Sequence, residues 1–161
     1  MKILVRGFNK FTSVVIKLSQ IFCALLMGAM IIIVTVGVFY RYVLGRPLPW
    51  VTEIVRFSLV WLSLIGAAVA LYKNEHVAVN YFYKKAGKKL RVIFEILNVI
   101  IIGYFSFIMI TYGYEFTDTL YSGTFTGISG AVPRMAIPVS GAIMILVVID
   151  QLINNILYGR N

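Results

Sequence analysis

The stretch Arg41–Asn80 reads RYVLGRPLPWVTEIVRFSLVWLSLIGAAVALYKNEHVAVN. It opens with a turn, because Pro47 and Pro49 each disfavour the helical conformation of the residue before them. The apolar run Phe57–Tyr72 follows, and the polar sequence Lys73–His76 ends it. This order predicts an apolar helix that begins at one polar boundary and ends at another, as a helix in a bilayer does.

The whole chain has the composition of a membrane protein. Of its 161 residues, 60% are hydrophobic and 13% are charged, whereas a soluble domain carries about 25% charged residues. Crossing a hydrocarbon core of about 30 Å takes about 20 apolar residues per helix. Four apolar blocks, the second and fourth extended into flanking helical sequence, predict spans at 18–40, 52–72, 93–114 and 135–157. We therefore predict an all-α membrane protein, with residues 1–161 forming a single four-helix domain.

The net charge is +9, and the basic residues are distributed along the chain in a way that predicts a membrane topology. Eleven of the fifteen basic residues fall in the two tails and the second loop: Lys2, Arg6, Lys10, Lys17, Lys73, Lys84, Lys85, Lys88, Lys89, Arg91 and Arg160. The other four, Arg41, Arg46, Arg56 and Arg134, lie in or beside the first and third loops. The positive-inside rule then predicts that both termini are cytoplasmic. We expect these basic residues to meet phospholipid headgroups and not nucleic acid.

The segment Met1–Lys17 predicts a basic amphipathic helix in the inner headgroup region. Its apolar residues recur every three or four positions: Leu4, Phe8, Phe11, Val15 and Leu18. The apolar run that follows is too long for a cleavable signal peptide, and no small-residue cleavage site follows it. The first span is therefore expected to be a retained anchor.

The second helix is predicted to start at Thr52 as its N-cap, with Glu53 in the first turn, where the helix dipole favours a negative charge. Glu53 and Arg56 lie three residues apart and can pair on one face. The small residues Ser63, Gly66, Ala67 and Ala70 form two pairs spaced four apart, which allows close helix packing in lipid. This span is predicted to be the most enclosed by protein.

No Asp, Glu, Lys, Arg or His lies within the uninterrupted apolar blocks 18–40, 57–72, 96–114 and 135–149, which argues against a proton-coupled transport site. Asp150 follows the last block and is expected to reach the headgroups at the inner end of the fourth helix. Cys23 is the single cysteine, which excludes an intrachain disulfide. His76, the single histidine, is expected to be a hydrogen-bonded interfacial residue. With no metal-ligand cluster and no catalytic grouping, we predict no cofactor in this chain and no enzymatic activity.

The loops carry further expectations. Residues Val77–Tyr83 could form a short helix lying flat on the inner surface. The outer segment Glu115–Arg134 could face an external partner or act as a connector. The fourth helix is expected to begin near Pro138, since the first turn tolerates proline, and to carry a small-residue patch at 140–142.

The Arg41–Asn80 stretch resembles the DctQ-like small membrane subunits of tripartite ATP-independent periplasmic (TRAP) transporters. That family shows the pattern RYVxxxPxxWxEExxR, then WLxxxGAAxA, then EHIxVD. The matching residues are Arg41, Tyr42, Val43, Pro47, Trp50, Glu53, Arg56, Trp61, Leu62, Gly66, Ala67, Ala68, Ala70, Glu75, His76 and Val79. The chain departs from the pattern at Thr52 and Asn80, where the family usually has acidic residues.

The resemblance implies a four-helix scaffold subunit in a bacterial inner membrane. It would brace a large elevator-type membrane subunit that holds the substrate and sodium sites. A periplasmic binding protein would deliver an organic acid, of the dicarboxylate or sialic acid type. On this reading the partner interface comprises Arg41, Arg46, Pro47, Trp50, Glu53, Arg56, Trp61, Gly66, Ala70, Glu75 and His76, with Trp50, Glu53 and Arg56 at its outer end.

Two alternatives predict features that the sequence does not show. A self-sufficient four-helix multidrug transporter predicts a carboxylate in the first helix, and 18–40 has none. A membrane anchor of a redox enzyme predicts two haem-ligating histidines, and the chain has one.

Overall fold

The computed structural model describes residues 2–73, 88–117 and 131–158, with side chains described for 5–73, 97–113, 115 and 131–154. The described residues are helical apart from short turns. The helices, in chain order, are α1 (Lys2–Tyr42), α2 (Pro49–Tyr72), α3 (Lys88–Thr117), α4 (Ala131–Arg134) and α5 (Ala136–Tyr158). By length and apolarity, Val5–Tyr42, Pro49–Tyr72 and Ala131–Asn154 could each cross a membrane, and Leu97–Gly113 is a shorter apolar helix. The predicted spans fall within α1, α2, α3 and α5 except for Met135, which precedes α5; that all four cross the bilayer stays a prediction.

Helix α1 is longer than a bilayer requires. Its 41 residues extend over about 60 Å at 1.5 Å per residue, about twice the hydrocarbon thickness. The predicted amphipathic segment is helical from Lys2, but it continues into the first span without a break. It therefore does not lie across the axis of that span. The side chains it buries are Thr12 and Ile16, whereas Phe11 and Leu18 of the predicted apolar face are exposed.

The helices pack as two antiparallel pairs joined along α2 and α5. Helix α1 packs on α2, α3 packs on α5, and α5 also contacts α2 and α1. The short α4 lies against α2, α3 and α5. Seven buried apolar residues form a core cluster: Ile16, Ala68, Leu71, Met109, Met144, Val147 and Val148. Exposed apolar side chains are frequent on α1 and α3, as expected of helices that face lipid or a partner.

Within this chain, the fourth predicted span is more enclosed than the second; that a partner encloses the second span further stays a prediction. We compared the most apolar 18 residues of each helix. Of these residues, 39% are buried in Ala131–Asn154, 17% in α2 and none in the first helix, Val5–Tyr42. The cause is close contact with α3 at small residues. A Cβ added at Gly141 would lie 3.0 Å from the backbone oxygen of Ser106, and one at Gly113 would lie 2.9 Å from Ile137. The predicted small patch is thus a packing surface: Ser140 and Gly141 are buried, and Ala142 is exposed.

Candidate partner interface

The turn between α1 and α2 is held by backbone hydrogen bonds. The Arg46 N–H donates to the Tyr40 carbonyl at 3.2 Å, and the Val43 N–H donates to the Phe39 carbonyl at 2.9 Å. Gly45 has a φ of 62°, in the left-handed region that glycine adopts without steric penalty. This glycine follows the end of α1 at Tyr42, and a left-handed glycine commonly occurs where a helix ends. The predicted turn is therefore confirmed.

The predicted interface residues of this turn lie on the surface of the chain. The Arg41 guanidinium carbon is 5.6 Å from the centre of the Tyr42 ring, a cation–π geometry, and both side chains are exposed. Arg46 and Pro47 are exposed, and Trp50 is 36% exposed. The next residue, Val51, points inward, where a Cβ on Gly37 of α1 would lie 2.7 Å from its Cγ1. The contact of α1 with α2 is thus closest just inside the turn.

Helix α2 begins one turn earlier than predicted. Its N-cap is Leu48, which makes no side-chain capping bond, and Pro49 is at the start of the helix. The prediction of Thr52 as N-cap is wrong because proline suits the first helical position, where its missing N–H is not needed. Glu53 therefore lies beyond the first turn, where the dipole effect is weak. It is half-buried, and Arg56, three residues on, is exposed.

Trp61 is held within the chain. Its indole N–H donates to the Val132 carbonyl of α4 at 3.2 Å. Its ring meets Phe22 of α1 edge-on, with 6.0 Å between centroids. The indole thus links three helices, a contact that sequence reasoning did not anticipate because Val132 lies 71 residues away. Its role in binding a partner stays a prediction.

A continuous uncovered surface runs along α2 opposite its buried face. The buried residues are Val51, Ser58, Ile65, Ala68 and Leu71. On the other side, positions three or four apart form what we call the α2 stripe: Thr52, Arg56, Leu59, Ser63, Gly66, Ala67 and Ala70. Five of these are exposed, Gly66 and Ala70 are half-buried, and a Cβ added at Gly66 would meet nothing within 4 Å. Three predicted interface residues, Arg56, Gly66 and Ala70, therefore share one face.

At the end of the bundle where the N-terminal part of α1 meets the C-terminal part of α5, polar side chains from these two helices form a cluster. Asp150 is 5% exposed, and the side-chain amide of Asn154 lies 3.2 Å from its Oδ2. The amides of Asn9 and Asn154 lie 2.8 Å apart, and the Thr12 hydroxyl is within hydrogen-bonding reach of Asp150. The expectation that Asp150 reaches the headgroups is wrong, because the continuous α1 covers it. Asn9 and Thr12 are three residues apart, and Asp150 and Asn154 are four apart. Each pair therefore lies on one face of its helix, and these two polar faces could have indicated that α1 and α5 meet there.

Two predicted interface residues, Glu75 and His76, lie outside the described residues, as do Val77–Tyr83 and most of the outer segment Glu115–Arg134. In the part of the chain that is described, no group of three His, Cys, Asp or Glu side chains could hold a metal ion.

Residues 30–157 match the family described as tripartite ATP-independent periplasmic transporters, DctQ component. The chain belongs to this family. The match covers α2, α3, α4, nearly all of α5 and the C-terminal part of α1, so the similarity to the family extends well beyond the Arg41–Asn80 motif that indicated it.

Three curated relatives are TRAP transporter small permease proteins. The sialic acid TRAP transporter small permease protein SiaQ of Vibrio cholerae serotype O1 is 22% identical over 86% of this chain and 81% of its own length. A putative TRAP transporter small permease protein of Haemophilus influenzae is 32% identical over 43% of each chain. The C4-dicarboxylate TRAP transporter small permease protein DctQ of Vibrio cholerae is 25% identical over 52% of this chain and 36% of its own.

Membership and structure together make this chain a TRAP transporter small permease subunit, a helical multi-pass protein of the inner membrane. Its relatives are transporter subunits and not enzymes.

Proposed function

We propose that this DctQ-like subunit is a non-catalytic scaffold that braces the large membrane subunit of its transporter, and that the α2 stripe is the docking surface. The observation that carries the proposal is the uncovered row of small residues on α2. Small residues let helix backbones approach closely in lipid, where dispersion contacts and not the hydrophobic effect drive association. In the described part of the chain nothing lies within 4 Å of a Cβ added at Gly66, so a helix of another chain would have room to pack against the stripe.

The outer end of the stripe would add polar contacts. Arg56 is exposed there, with the half-buried Glu53 one turn above it and Trp50 at the helix start. Tryptophan, with its apolar ring and N–H group, suits a membrane–water boundary. These three residues would meet the large subunit at the periplasmic surface. Both termini would be cytoplasmic, in keeping with the basic residues of the tails and the second loop.

Bracing follows from the mechanics of an elevator transporter, in which one part stays fixed while another slides. Extra helices packed on the fixed part resist its tilting. Helix α5 packs on α1, α2, α3 and α4, so a load on the α2 stripe would be shared by the whole bundle. The sodium ions and the substrate would bind the large subunit, and this chain would need no cofactor.

The transported substrate would be an organic acid. One relative is named for sialic acid and another for C4-dicarboxylates, and both compounds carry carboxylates. Uptake would be coupled to sodium and would depend on a periplasmic binding protein, which the outer segment Glu115–Arg134 would face. Residues that select the acid would lie on the large subunit and the binding protein.

The experiment is co-purification of the large subunit from membranes with tagged variants of this chain. Gly66→Leu would fill the gap in the stripe with a large side chain, and recovery of the large subunit should fall at least tenfold. Gly103→Leu on α3 is the matched control, since a Cβ there also meets nothing within 4 Å. It should leave recovery unchanged, and both variants should be inserted in the membrane at the wild-type level.

A third variant tests the competing surface. Helix α1 also has a small pair, Ala24 and Gly28, and Gly28 faces open space. Loss of the complex with Gly28→Leu, but not with Gly66→Leu, would move the docking surface to α1 and contradict the stripe. Transport by this chain alone, reconstituted without a large subunit, would contradict the scaffold role itself.

A further inference from the structure

The polar cluster between the N-terminal part of α1 and the C-terminal part of α5 is a closed ring of three side chains. Asn154 lies 3.2 Å from Asp150 Oδ2, and the amides of Asn9 and Asn154 lie 2.8 Å apart. The second amide atom of Asn9 lies 3.0 Å from Asp150 Oδ1 and 3.1 Å from the Val5 carbonyl. Every edge of the ring is therefore at direct hydrogen-bonding distance, with no room for a bridging water.

A ring of three edges needs three donors, one for each edge. An amide that contacts two neighbours through its two polar atoms donates to one and accepts from the other. Two amides therefore supply two donors, and an ionised carboxylate supplies none. Turning either amide moves the missing donor to another edge without adding one. With Asp150 ionised, two oxygens would face each other at about 3 Å, beside a side chain that is 5% exposed.

Among the residues whose side chains the structure describes, the neighbouring groups do not provide the missing donor. The Thr12 hydroxyl has one proton, which it donates to the Phe8 carbonyl at 3.1 Å. If the hydroxyl turned towards Asp150, it would donate to a carboxylate oxygen. Its proton would still not lie between any two of the three ring residues, so one contact in the ring would still lack a donor. The basic residues on this part of α1, Arg6 and Lys10, are exposed and lie outside the ring.

We propose that Asp150 is protonated and acts as the third donor, so that Asp150, Asn9 and Asn154 form a neutral interhelical lock. When both amides are turned so that Asn9 Nδ2 donates to Asp150 Oδ1 and to the Val5 carbonyl, Asn154 Nδ2 donates to Asn9 Oδ1. The proton on Asp150 Oδ2 then donates to Asn154 Oδ1, and each contact has one donor and one acceptor. No charge is buried, which avoids the large desolvation penalty of an isolated carboxylate.

The lock fixes the N-terminal part of α1 to α5. Helix α1 packs on α2 and also contacts α5, and the ring is part of its contact with α5. Hydrogen bonds between helices restrict rotation of one helix against another because they depend on direction. The ring therefore keeps α1 in one rotational position, with Phe11 and Leu18 outward.

Infrared spectroscopy of the purified subunit with isotope-labelled aspartate tests the protonation state directly. The wild-type spectrum minus that of Asp150→Asn should contain the carbonyl band of a protonated carboxyl group. A difference that contains only carboxylate bands would overturn the proposal.

Thermal unfolding in nanodiscs provides the second measurement. Asp150→Asn replaces the protonated carboxyl with an amide that also donates on one side and accepts on the other, so the Tm should stay within the error of wild type. Asp150→Leu should lower the Tm by several degrees, because both remaining amides lose a partner. The exposed Ser13→Ala, next to Thr12 on α1, is the control and should be neutral. A Tm that rises or falls by several degrees in Asp150→Asn would show that the wild-type group is ionised, and no loss in Asp150→Leu would show that the ring is not a lock.

Discussion

The contact between α3 and α5 makes a sharp prediction about Gly141. A Cβ at this position would lie 3.0 Å from the Ser106 backbone oxygen and 3.1 Å from both Ile110 Cγ1 and Met109 Cβ. Ordinary contacts of a Cβ begin at about 3.4 Å. A flexible side chain could move aside, but the backbone oxygen moves only with its helix. Gly141→Ala should therefore push the two helices apart by about half an ångström.

The magnitude follows from two opposing effects. A gap of 0.5–1 Å forfeits roughly a quarter to a half of each dispersion contact, and overpacking of this kind destabilises proteins by about 1–3 kcal/mol. Alanine is a better helix former than glycine by about 1 kcal/mol. The expected net loss is therefore up to about 2 kcal/mol in the free energy of unfolding, with a midpoint of about 1 kcal/mol. For a chain of this size the midpoint lowers the Tm by about 2–4 °C.

The assay is thermal unfolding of purified variants in nanodiscs, with Gly103→Ala as the matched control. Gly103 lies on α3, and its added Cβ meets nothing within 4 Å, so only the helix-propensity gain remains and the Tm should hold or rise. Equal Tm values for Gly141→Ala and Gly103→Ala would refute the reasoning, because they would show that the close approach of α3 to α5 does not limit packing.

Two further predictions concern the outer end of α2 and the interior of α3. Glu53→Lys should weaken co-purification of the large subunit by reversing a charge one turn from Arg56, whereas Glu115→Lys, at the outer end of α3, should leave it unchanged; equal yields from both would count against the proposed interface. Ser106→Ala should raise the free energy of unfolding by up to about 1 kcal/mol, because the buried Ser106 Oγ has no hydrogen-bond partner and removing an unsatisfied polar group relieves its desolvation cost. A loss above 1 kcal/mol in the same nanodisc assay would show that this hydroxyl is bonded.

Helix positions were predictable because apolar length is a strong local signal. The start of α2 was missed by one turn since two local signals competed there, the capping preference of Thr52 and the preference of Pro49 for a first helical position. Both are sequence-level rules, and the structure shows that the proline determined the start. The start of α2 could therefore be predicted from sequence if the preference of proline for the first helical position were given more weight than the capping preference of threonine.

The enclosed position of α5 was not predictable in the same way. Small residues occur on α1, α2, α3 and α5 alike, and their spacing indicates that a helix can pack closely without indicating on what. The indole bond from Trp61 to Val132 and the ring around Asp150 join residues 71 to 145 positions apart. Such contacts depend on how helices are arranged, and a period along one helix contains no information about that arrangement.

The two small-residue surfaces of this chain can nevertheless be told apart once the bundle is known. The small-residue patch on α5 packs against another helix of the same chain, since Gly141 lies close to the backbone of α3. The patch on α2 does not pack against the described part of the chain at Gly66, although a glycine there weakens the helix by about 1 kcal/mol relative to alanine. Helix α1 has a shorter small pair, Ala24 and Gly28, whereas the α2 stripe continues into the exposed Arg56 towards the N-terminal end of α2. A surface that combines close backbone approach with a charged end can fix both the distance and the register of a partner helix, and in this chain that combination lies on α2.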